Sequence, residues 1–201
     1  MKSKSILATL LLFTVLLFAM LTTQSNASGT RDAAIIDVKP SVNKAYVGET
    51  VNINVTVKNN GTDPDTFDIT AYYGNITANY TITTQSTPTL APGENTTLTF
   101  SWNTLGVQPC QNYTIKANCT LPEDPNQADN EFVDDKVKIK MFADINGDGV
   151  VDIKDLVLLT KAFGSLPVHS RWNPDADLNN DEKVSIIDLM LVLKNFGKTC
   201  L

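Results

Sequence analysis

Two runs near the C-terminus space oxygen-bearing side chains as a bound cation would need them. The first reads Asp144-Ile-Asn146-Gly-Asp148-Gly149-Val150-Val151-Asp152-Ile-Lys-Asp155. The second, 33 residues further on, reads Asp177-Leu-Asn179-Asn-Asp181-Glu182-Lys183-Val184-Ser185-Ile-Ile-Asp188. A hard cation such as calcium takes about six to eight oxygens, and a twelve-residue loop supplies them from positions 1, 3, 5, 7, 9 and 12. In the first run those positions hold Asp144, Asn146, Asp148, the carbonyl of Val150, Asp152 and Asp155. In the second they hold Asp177, Asn179, Asp181, the carbonyl of Lys183, Ser185 and Asp188. Gly149 at position 6 permits the positive φ of a sharp turn. Glu182 takes that place in the second run, and Ser185 replaces a carboxylate, so two calcium sites are expected with the second the weaker.

One Asp/Asn/Gly cluster would read equally well as a solvated turn. Two in one register, each with valine at position 8 (Val151, Val184) and each running into an apolar segment that ends Phe163-Gly164 or Phe196-Gly197, argue for paired loops. Both depart from the EF-hand pattern by closing with Asp instead of Glu, and neither has a clear helix leading into it. Tandem loop-helix units closing on Asp155-Leu156 and Asp188-Leu189 resemble the dockerin family, over about residues 142–198. The resemblance implies recognition residues at positions 10 and 11, here Ile153-Lys154 and Ile186-Ile187, and a cohesin-type β-sandwich as receptor. It also implies a two-fold symmetric docking face, whose equivalence Lys154 against Ile187 breaks in favour of one orientation. Leu156, Leu159, Phe163, Leu189, Val192, Leu193 and Phe196 fall at helical spacing and are expected mostly in the core between two helices.

What precedes these loops must position them. The chain has 201 residues, 42% hydrophobic and 19% charged, with net charge -6, which suits two modest domains. The acidic balance argues against nucleic acid or anionic membrane surfaces as partners. Lys2 and Lys4, the uncharged run Ile6 to Leu21 and the Ser25-Asn26-Ala27 ending read as a secretory signal peptide over 1–27. The alternative is an uncleaved anchor, though the run falls just short of a usual span. A secreted or surface-associated protein is expected, with no membrane contact beyond the leader.

Residues 32–141 read as all-β. Apolar residues alternate with polar ones in Val51 to Val57, Phe67 to Ala71, Leu98 to Trp102, Tyr113 to Ala117 and Val137 to Met141, with turn signals between. The expected fold class is therefore multidomain, an immunoglobulin-like sandwich followed by a small helical, calcium-binding domain at 142–201. The run Ile36-Asp-Val38-Lys-Pro40, Val47-Gly48-Glu49 and Val51 to Gly61, with Asn112 to Ala117 and Pro125 to Glu131, resembles the CARDB family, immunoglobulin-like modules related to cell adhesion in bacteria and archaea. Glycosylation triplets begin at Asn54, Asn60, Asn75, Asn79, Asn95, Asn112 and Asn118, all in this segment. Singly each is an ordinary exposed Asn; together they favour an exported glycoprotein.

Cys110, Cys119 and Cys200 are too few for a disulfide framework. If residues 112–118 form one straight strand, Cys110 and Cys119 stand roughly 30 Å apart and cannot bridge. The odd count leaves at least one thiol free or paired between chains, and Cys200 is the expected free one. The junction near Lys140 to Ala143 is short, which restricts relative motion and suggests that the two domains pack on each other. His169 is the one histidine and reads as a surface residue. Trp172-Asn-Pro174 is expected to pack across the helices.

No constellation for nucleophilic catalysis, phosphate binding or zinc binding is present, and Asp63 with Asp65 reads as a solvated turn and not as a glycosidase pair. Three readings follow. The first is a non-catalytic exported adaptor, its sandwich meeting a surface or partner and its second domain docking to a cohesin. The second is a carbohydrate-binding accessory of a polysaccharide-degrading complex, which needs exposed aromatics in a row, with Tyr72, Tyr73, Tyr80 and Trp102 as candidates, though Tyr73 and Trp102 share the inward phase of their strands. The third is a self-contained calcium-stapled surface protein, favoured if Ile153, Ile186 and Ile187 are buried within the chain.

Overall fold

The computed structural model describes residues 29–75 and 78–200. The leader expected at 1–27 lies outside them. Eight strands build two sheets. β1 (Ala33–Pro40), β3 (Thr50–Asn59) and β6 (Asn95–Asn103) form one, in the order β1-β3-β6. β2 (Lys44–Tyr46), β4 (Asp68–Gly74), β5 (Asn79–Ser86), β7 (Gln111–Cys119) and β8 (Glu131–Lys140) form the other, in the order β2-β8-β7-β4-β5. Pairing is antiparallel except between β2 and β8.

The period of two in β3 sends Val51, Ile53, Val55 and Val57 into the space between the sheets, where all four are fully buried. Ile69, Ala71, Ile115, Ala117, Val137 and Ile139 meet them from the second sheet. Each fully buried branched side chain contributes about 1.5–3 kcal/mol of transfer free energy, so this face alone commits the chain to a sandwich. Two features depart from simple alternation. A bulge between Ile35 and Asp37 rotates β1, burying Ile35 and Val38 while Ile36 stays exposed. β5 has no alternating apolar face because it is an edge strand, exposed along most of its length and closed by threonines.

The second domain holds α1 (Ile153–Ala162), a single 3₁₀ turn (Pro174–Ala176) and α2 (Ile186–Asn195). Its core gathers Met141, Ala143, Ile145, Val151, Leu159, Ala162, Ala176, Leu178, Val184 and Val192, with Trp172 packed against it. His169 is exposed, and its Nδ1 accepts from the Leu166 N–H at 3.1 Å. Among the described residues no helix is long and apolar enough to cross a membrane.

The two domains are joined by more than the chain. Lys140, only 7% exposed, donates from Nζ to Asp175 Oδ1 at 2.8 Å and to the Tyr46 hydroxyl at 3.2 Å. Its ammonium also stands 4.7 Å from the centre of the Tyr46 ring. Burial pushes the Tyr46 hydroxyl pKa well up, with Asp175 adding to it, so the hydroxyl stays a neutral donor toward Asp175.

The cysteines pair differently from the sequence expectation. Cys200 is not the free thiol: it bonds Cys110, with Cα atoms 6.1 Å apart, and Cys119 is the free, buried one. Nearness to the chain end misleads because residues 197–200 are fixed. The Cys200 N–H donates to Gly149 O at 2.8 Å and the Val151 N–H to Lys198 O at 2.9 Å, which carries Cys200 to the sandwich loop that holds Cys110. Cys119 ends β7, nine residues from Cys110 along a straight strand, and burial pushes its thiol pKa up to about 11.

Two outcomes follow. The native protein should show no thiol reactive to an alkylating reagent at pH 8, and one after denaturation without reductant; the Cys119 linkage removes stability as pH rises from roughly 9 toward 11. Cys200→Ser should lower stability by roughly 4–5 kcal/mol, because the bond closes a loop of 90 residues in the unfolded chain. Peptide mass mapping and denaturant melts check both.

Candidate metal and partner-binding site

Each loop is closed by the last carboxylate of its run. Asp155 is fully buried at position 12. Its Oδ1 accepts from the N–H groups of Ile145 (2.8 Å) and Asn146 (3.1 Å), and its Oδ2 from that of Asp152 (2.8 Å). Asp188 does the same in the second loop, accepting from Leu178, Asn179 and Ser185 at 2.8, 3.4 and 2.7 Å. These aspartates therefore also complete the helix start. Asp152 and Ser185 are the N-caps of α1 and α2, and Asp155 and Asp188, at the third helical position, bond back to the cap N–H. One residue thus ties loop to helix.

Position 1 behaves in parallel. Asp144, 1% exposed, accepts from the N–H groups of Gly147, Asp148 and Gly149 at 2.8, 3.2 and 2.9 Å. Asp177 accepts from those of Asp181 and Glu182 at 3.2 and 2.9 Å. Desolvation raises the pKa of Asp177, with the backbone donors opposing it. At positions 3 and 5, Asn146 Nδ2 donates to Asp148 Oδ2, and Asn179 Nδ2 to Asp181 Oδ2. The structure thus brings Asp144, Asn146, Asp148, Asp152 and Asp155 into one loop, and Asp177, Asn179, Asp181, Ser185 and Asp188 into the other. Val150 and Lys183, whose carbonyls are the position-7 candidates, sit on the same turns.

Both loops turn through left-handed backbone at the same places. Gly147 and Gly149 have φ of 72° and 88°, and Asn180 and Glu182 have 54° and 62°. The glycines adopt this freely, whereas an L side chain there costs about 1–2 kcal/mol. Glu182 therefore keeps the loop shape under strain.

The donor chemistry suits a hard divalent cation. Both sets are oxygen only, and they gather four carboxylates in the first loop against three in the second. The N-caps differ in a way the sequence did not advertise. Asp152 caps α1 with Oδ1, accepting from the Lys154 N–H at 2.7 Å, and has a second oxygen to offer. The single oxygen of Ser185 accepts from the Ile187 N–H at 3.2 Å and lies 3.3 Å from Asp188 Oδ2. A further contact also appears only in three dimensions: Lys154 Nζ donates to Asp148 Oδ2 at 2.8 Å and holds that carboxyl below the usual range.

The two units clasp each other. The Gly164 N–H, just past α1, donates to Val184 O at 2.7 Å, and the Val184 N–H to Ser165 O at 3.1 Å. Reciprocally, the Gly197 N–H, just past α2, donates to Val151 O at 2.8 Å, and the Val151 N–H to Lys198 O at 2.9 Å. Gly164 and Gly197 have φ of 73° and 82°, which explains the glycine after each phenylalanine.

The expected partner residues all face outward. Ile153, Ile186 and Ile187 are 62%, 56% and 50% exposed, and Lys154 is exposed with them. Met190 and Leu193 on α2 and Val157 on α1 are exposed as well. The aromatic candidates do not form a row. Tyr73 is stacked between Tyr80 (5.1 Å) and Trp102 (4.6 Å), Trp102 is buried, and the Tyr72 ring lies beneath Lys116. Both faces of the central ring are used inside the protein. Of the glycosylation triplets, Asn54, Asn60, Asn79, Asn95 and Asn112 are exposed, and Asn75 and Asn118 are half-buried.

Comparison with known proteins defines the class. Residues 142–197 match the model of the dockerin type I domain, and residues 33–132 match that of CARDB. The chain therefore joins a CARDB domain to a dockerin domain, a β sandwich followed by a small helical domain with two helices. Both are non-catalytic modules typical of extracellular or surface proteins, and dockerin domains generally bind calcium. No curated protein matches the chain. Among solved structures, a type II cohesin-dockerin domain from Bacteroides cellolosolvens is 36% identical, covering 30% of this chain and 92% of that one, with a TM-score of 0.27. A CARDB domain from Pyrococcus furiosus, solved in complex with di-metal ions, is 20% identical over 56% of this chain and 96% of that one, TM-score 0.45. A β-glucosidase from Listeria innocua is 18% identical over 55% of this chain, TM-score 0.40, and the match spans 16% of the enzyme.

Strain at position 6 is directly testable. Glu182→Gly should raise the stability of the protein by about 1 kcal/mol, read from calcium-dependent thermal melts, because glycine removes the left-handed penalty. Gly149→Glu should cost at least as much.

Proposed function

We propose that this protein is an exported, non-catalytic adaptor whose dockerin domain folds around two calcium ions and docks onto a cohesin-type β-sandwich receptor in an extracellular assembly. The domain boundaries on this reading are 1–27 for the leader, 32–141 for the sandwich and 142–201 for the docking domain. The observation that carries it is the exposure of Ile153, Ile186 and Ile187 in the first turn of two helices whose caps belong to oxygen-lined loops, with Met190 exposed one turn further along α2. Such side chains are poor choices for solvent and good ones for an interface core. Their exposure also weighs against a self-contained protein that buries this patch itself.

In this reading Asp144, Asn146, Asp148, Val150, Asp152 and Asp155 hold the first ion, and Asp177, Asn179, Asp181, Lys183, Ser185 and Asp188 the second. The ion offsets repulsion among the loop carboxylates, so its binding free energy becomes folding free energy. The second site is the weaker, because Ser185 spends its one oxygen on the helix cap and Glu182 is strained.

The two faces of the docking surface are unequal. At the 33-residue offset Ile153 matches Ile186, but Lys154 matches Ile187, Val157 matches Met190 and Thr160 matches Leu193. The α2 face is the more apolar of the two and supplies the dominant contact, in one preferred orientation.

Calorimetric calcium titration of the oxidised full chain, read alongside circular dichroism, should show two binding events on the docking domain, the tighter one removed by Asp155→Ala with loss of helix. Unchanged helicity and amide dispersion without calcium would overturn the metal assignment. Against an immobilised cohesin-type domain, Ile187→Asp should weaken binding at least tenfold and Ile153→Asp by much less, since truncating a central anchor costs about 2 kcal/mol or more. Equal losses for Ile153→Asp and Ile186→Asp would overturn the single orientation.

A further inference from the structure

Three carboxylates far from the calcium loops converge in the sandwich. Asp32 immediately precedes β1, and Asp124 and Asp129 lie on the segment between β7 and β8. One oxygen from each lies within 4.8 Å of the others. Backbone contacts hold the arrangement. The Ala33 N–H donates to Asp124 Oδ2 at 3.0 Å and the Asn126 N–H to Asp124 Oδ1 at 2.8 Å. The Ile35 N–H donates to the Asp129 carbonyl at 2.8 Å, and Asn126 Nδ2 to Asp129 Oδ2 at 2.8 Å.

A second, independent observation asks for a ligand. Oδ1 of Asp32 and Oδ1 of Asp129 are both wholly buried from solvent and have no hydrogen-bond partner, and so is Oδ1 of Asn130, the next residue in the chain, which is 4% exposed. Asp124 itself is 6% exposed. Buried polar atoms are nearly always satisfied, and these buried carboxylate oxygens lie beside other carboxylates with no donor. Burial raises the Asp32 pKa first, then the charges of Asp124 and Asp129, and the opposing pull of Lys58 is the smallest influence.

We propose that Asp32, Asp124 and Asp129 hold a divalent hard cation, calcium foremost, that fastens the segment between β7 and β8 to the start of β1. The donors are oxygen only, which selects calcium, magnesium or manganese over zinc or copper. Asp124 is the pre-oriented ligand, since two backbone donors fix its carboxylate, and the orphaned oxygens of Asp32 and Asp129 complete the set. The ion closes a link between residues 92 positions apart in sequence, so it acts as a cross-link on the sandwich and owes nothing to the docking loops.

The test counts ions on the oxidised full chain. Equilibrium dialysis with calcium is run on the wild type, on Asp32→Asn/Asp129→Asn and on Asp144→Asn/Asp177→Asn, alongside thermal melts with and without chelator. Asp124 is left intact because its backbone bonds support folding. Asp32→Asn/Asp129→Asn should bind one calcium fewer than the wild type and lose the chelator sensitivity of the sandwich melt. Asp144→Asn/Asp177→Asn should retain at least that one ion. Equal counts for the wild type and Asp32→Asn/Asp129→Asn would overturn the site. So would an unchanged count with a raised melting temperature for that variant, because a shared proton would then account for the cluster. If Asp144→Asn/Asp177→Asn changes nothing while Asp32→Asn/Asp129→Asn loses one ion, the docking-loop assignment falls and this site stands.

Discussion

The second domain depends on a reciprocal backbone clasp. Val151 and Val184, both fully buried, each exchange two hydrogen bonds with the residues that follow the other unit's helix. Neither loop-helix unit is long enough to bury an apolar face alone, and a helix of ten residues is marginal in water without tertiary support. Crossing the pairs solves both problems, because each helix ends on the partner's loop and each loop is braced by the partner's helix end. The motif's separate features then have one cause. Position 8 is apolar because it is the clasp's buried centre, and the glycine after each phenylalanine lets the chain turn through positive φ to reach it.

The C-terminal residues extend one half of that clasp. After Lys198 accepts from Val151, Cys200 donates to Gly149 and is bonded to Cys110 in the sandwich. A Cβ on Gly149 would stand 3.6 Å from that of Cys200, so the disulfide lies directly against the first loop. With Lys140, Tyr46 and Asp175 on the same border, the docking domain is tied to the sandwich at two points besides the chain itself. The apolar patch is therefore presented on a fixed base, which lowers the ordering cost of any partner contact.

Legibility in the sequence follows the range of each interaction. The loop positions are set by spacing within a dozen residues, and period two reveals the central strands because both their neighbours are in the same core. Helical spacing places Leu159 and Val192 correctly, but Phe163, Leu193 and Phe196, expected with them, are exposed because the two helices bury only a narrow stripe against each other. Four features escape such reading. β5 takes its identity from its neighbour β4 and carries no apolar alternation of its own. The bulge in β1 reverses the faces of Ile35 and Ile36, which a fixed period cannot foresee. The Cys110–Cys200 bond depends on the clasp, itself a contact between units. The carboxylates of Asp32, Asp124 and Asp129 are separated by most of the sandwich in sequence, and only the pairing of β1 with its surroundings brings them together. The aromatic residues are legible in part: strand phase turns Tyr73 and Trp102 inward, but does not show that Tyr73 also stacks on Tyr80.

The two units repeat at an offset of 33 residues, and they differ in loop chemistry and in exposed surface. The first loop has the additional carboxylate, glycines at both left-handed positions and the disulfide at its back, all of which favour a firmly held ion. Lys154 also engages Asp148 at its rim, which sets a cation beside a carboxylate of that loop that solvent reaches. The second loop gives up a carboxylate to serine and a glycine to glutamate, yet the helix that follows presents Ile186, Ile187, Met190 and Leu193 to solvent. Loop strength and surface apolarity thus run in opposite directions along the repeat. Both units are tied to the sandwich, the first loop through the disulfide that lies against Gly149 and the approach to the second through Asp175, so what separates them is loop chemistry and the apolarity of the exposed helix face. Neither difference touches the shared core, where Val151 and Val184 are both fully buried.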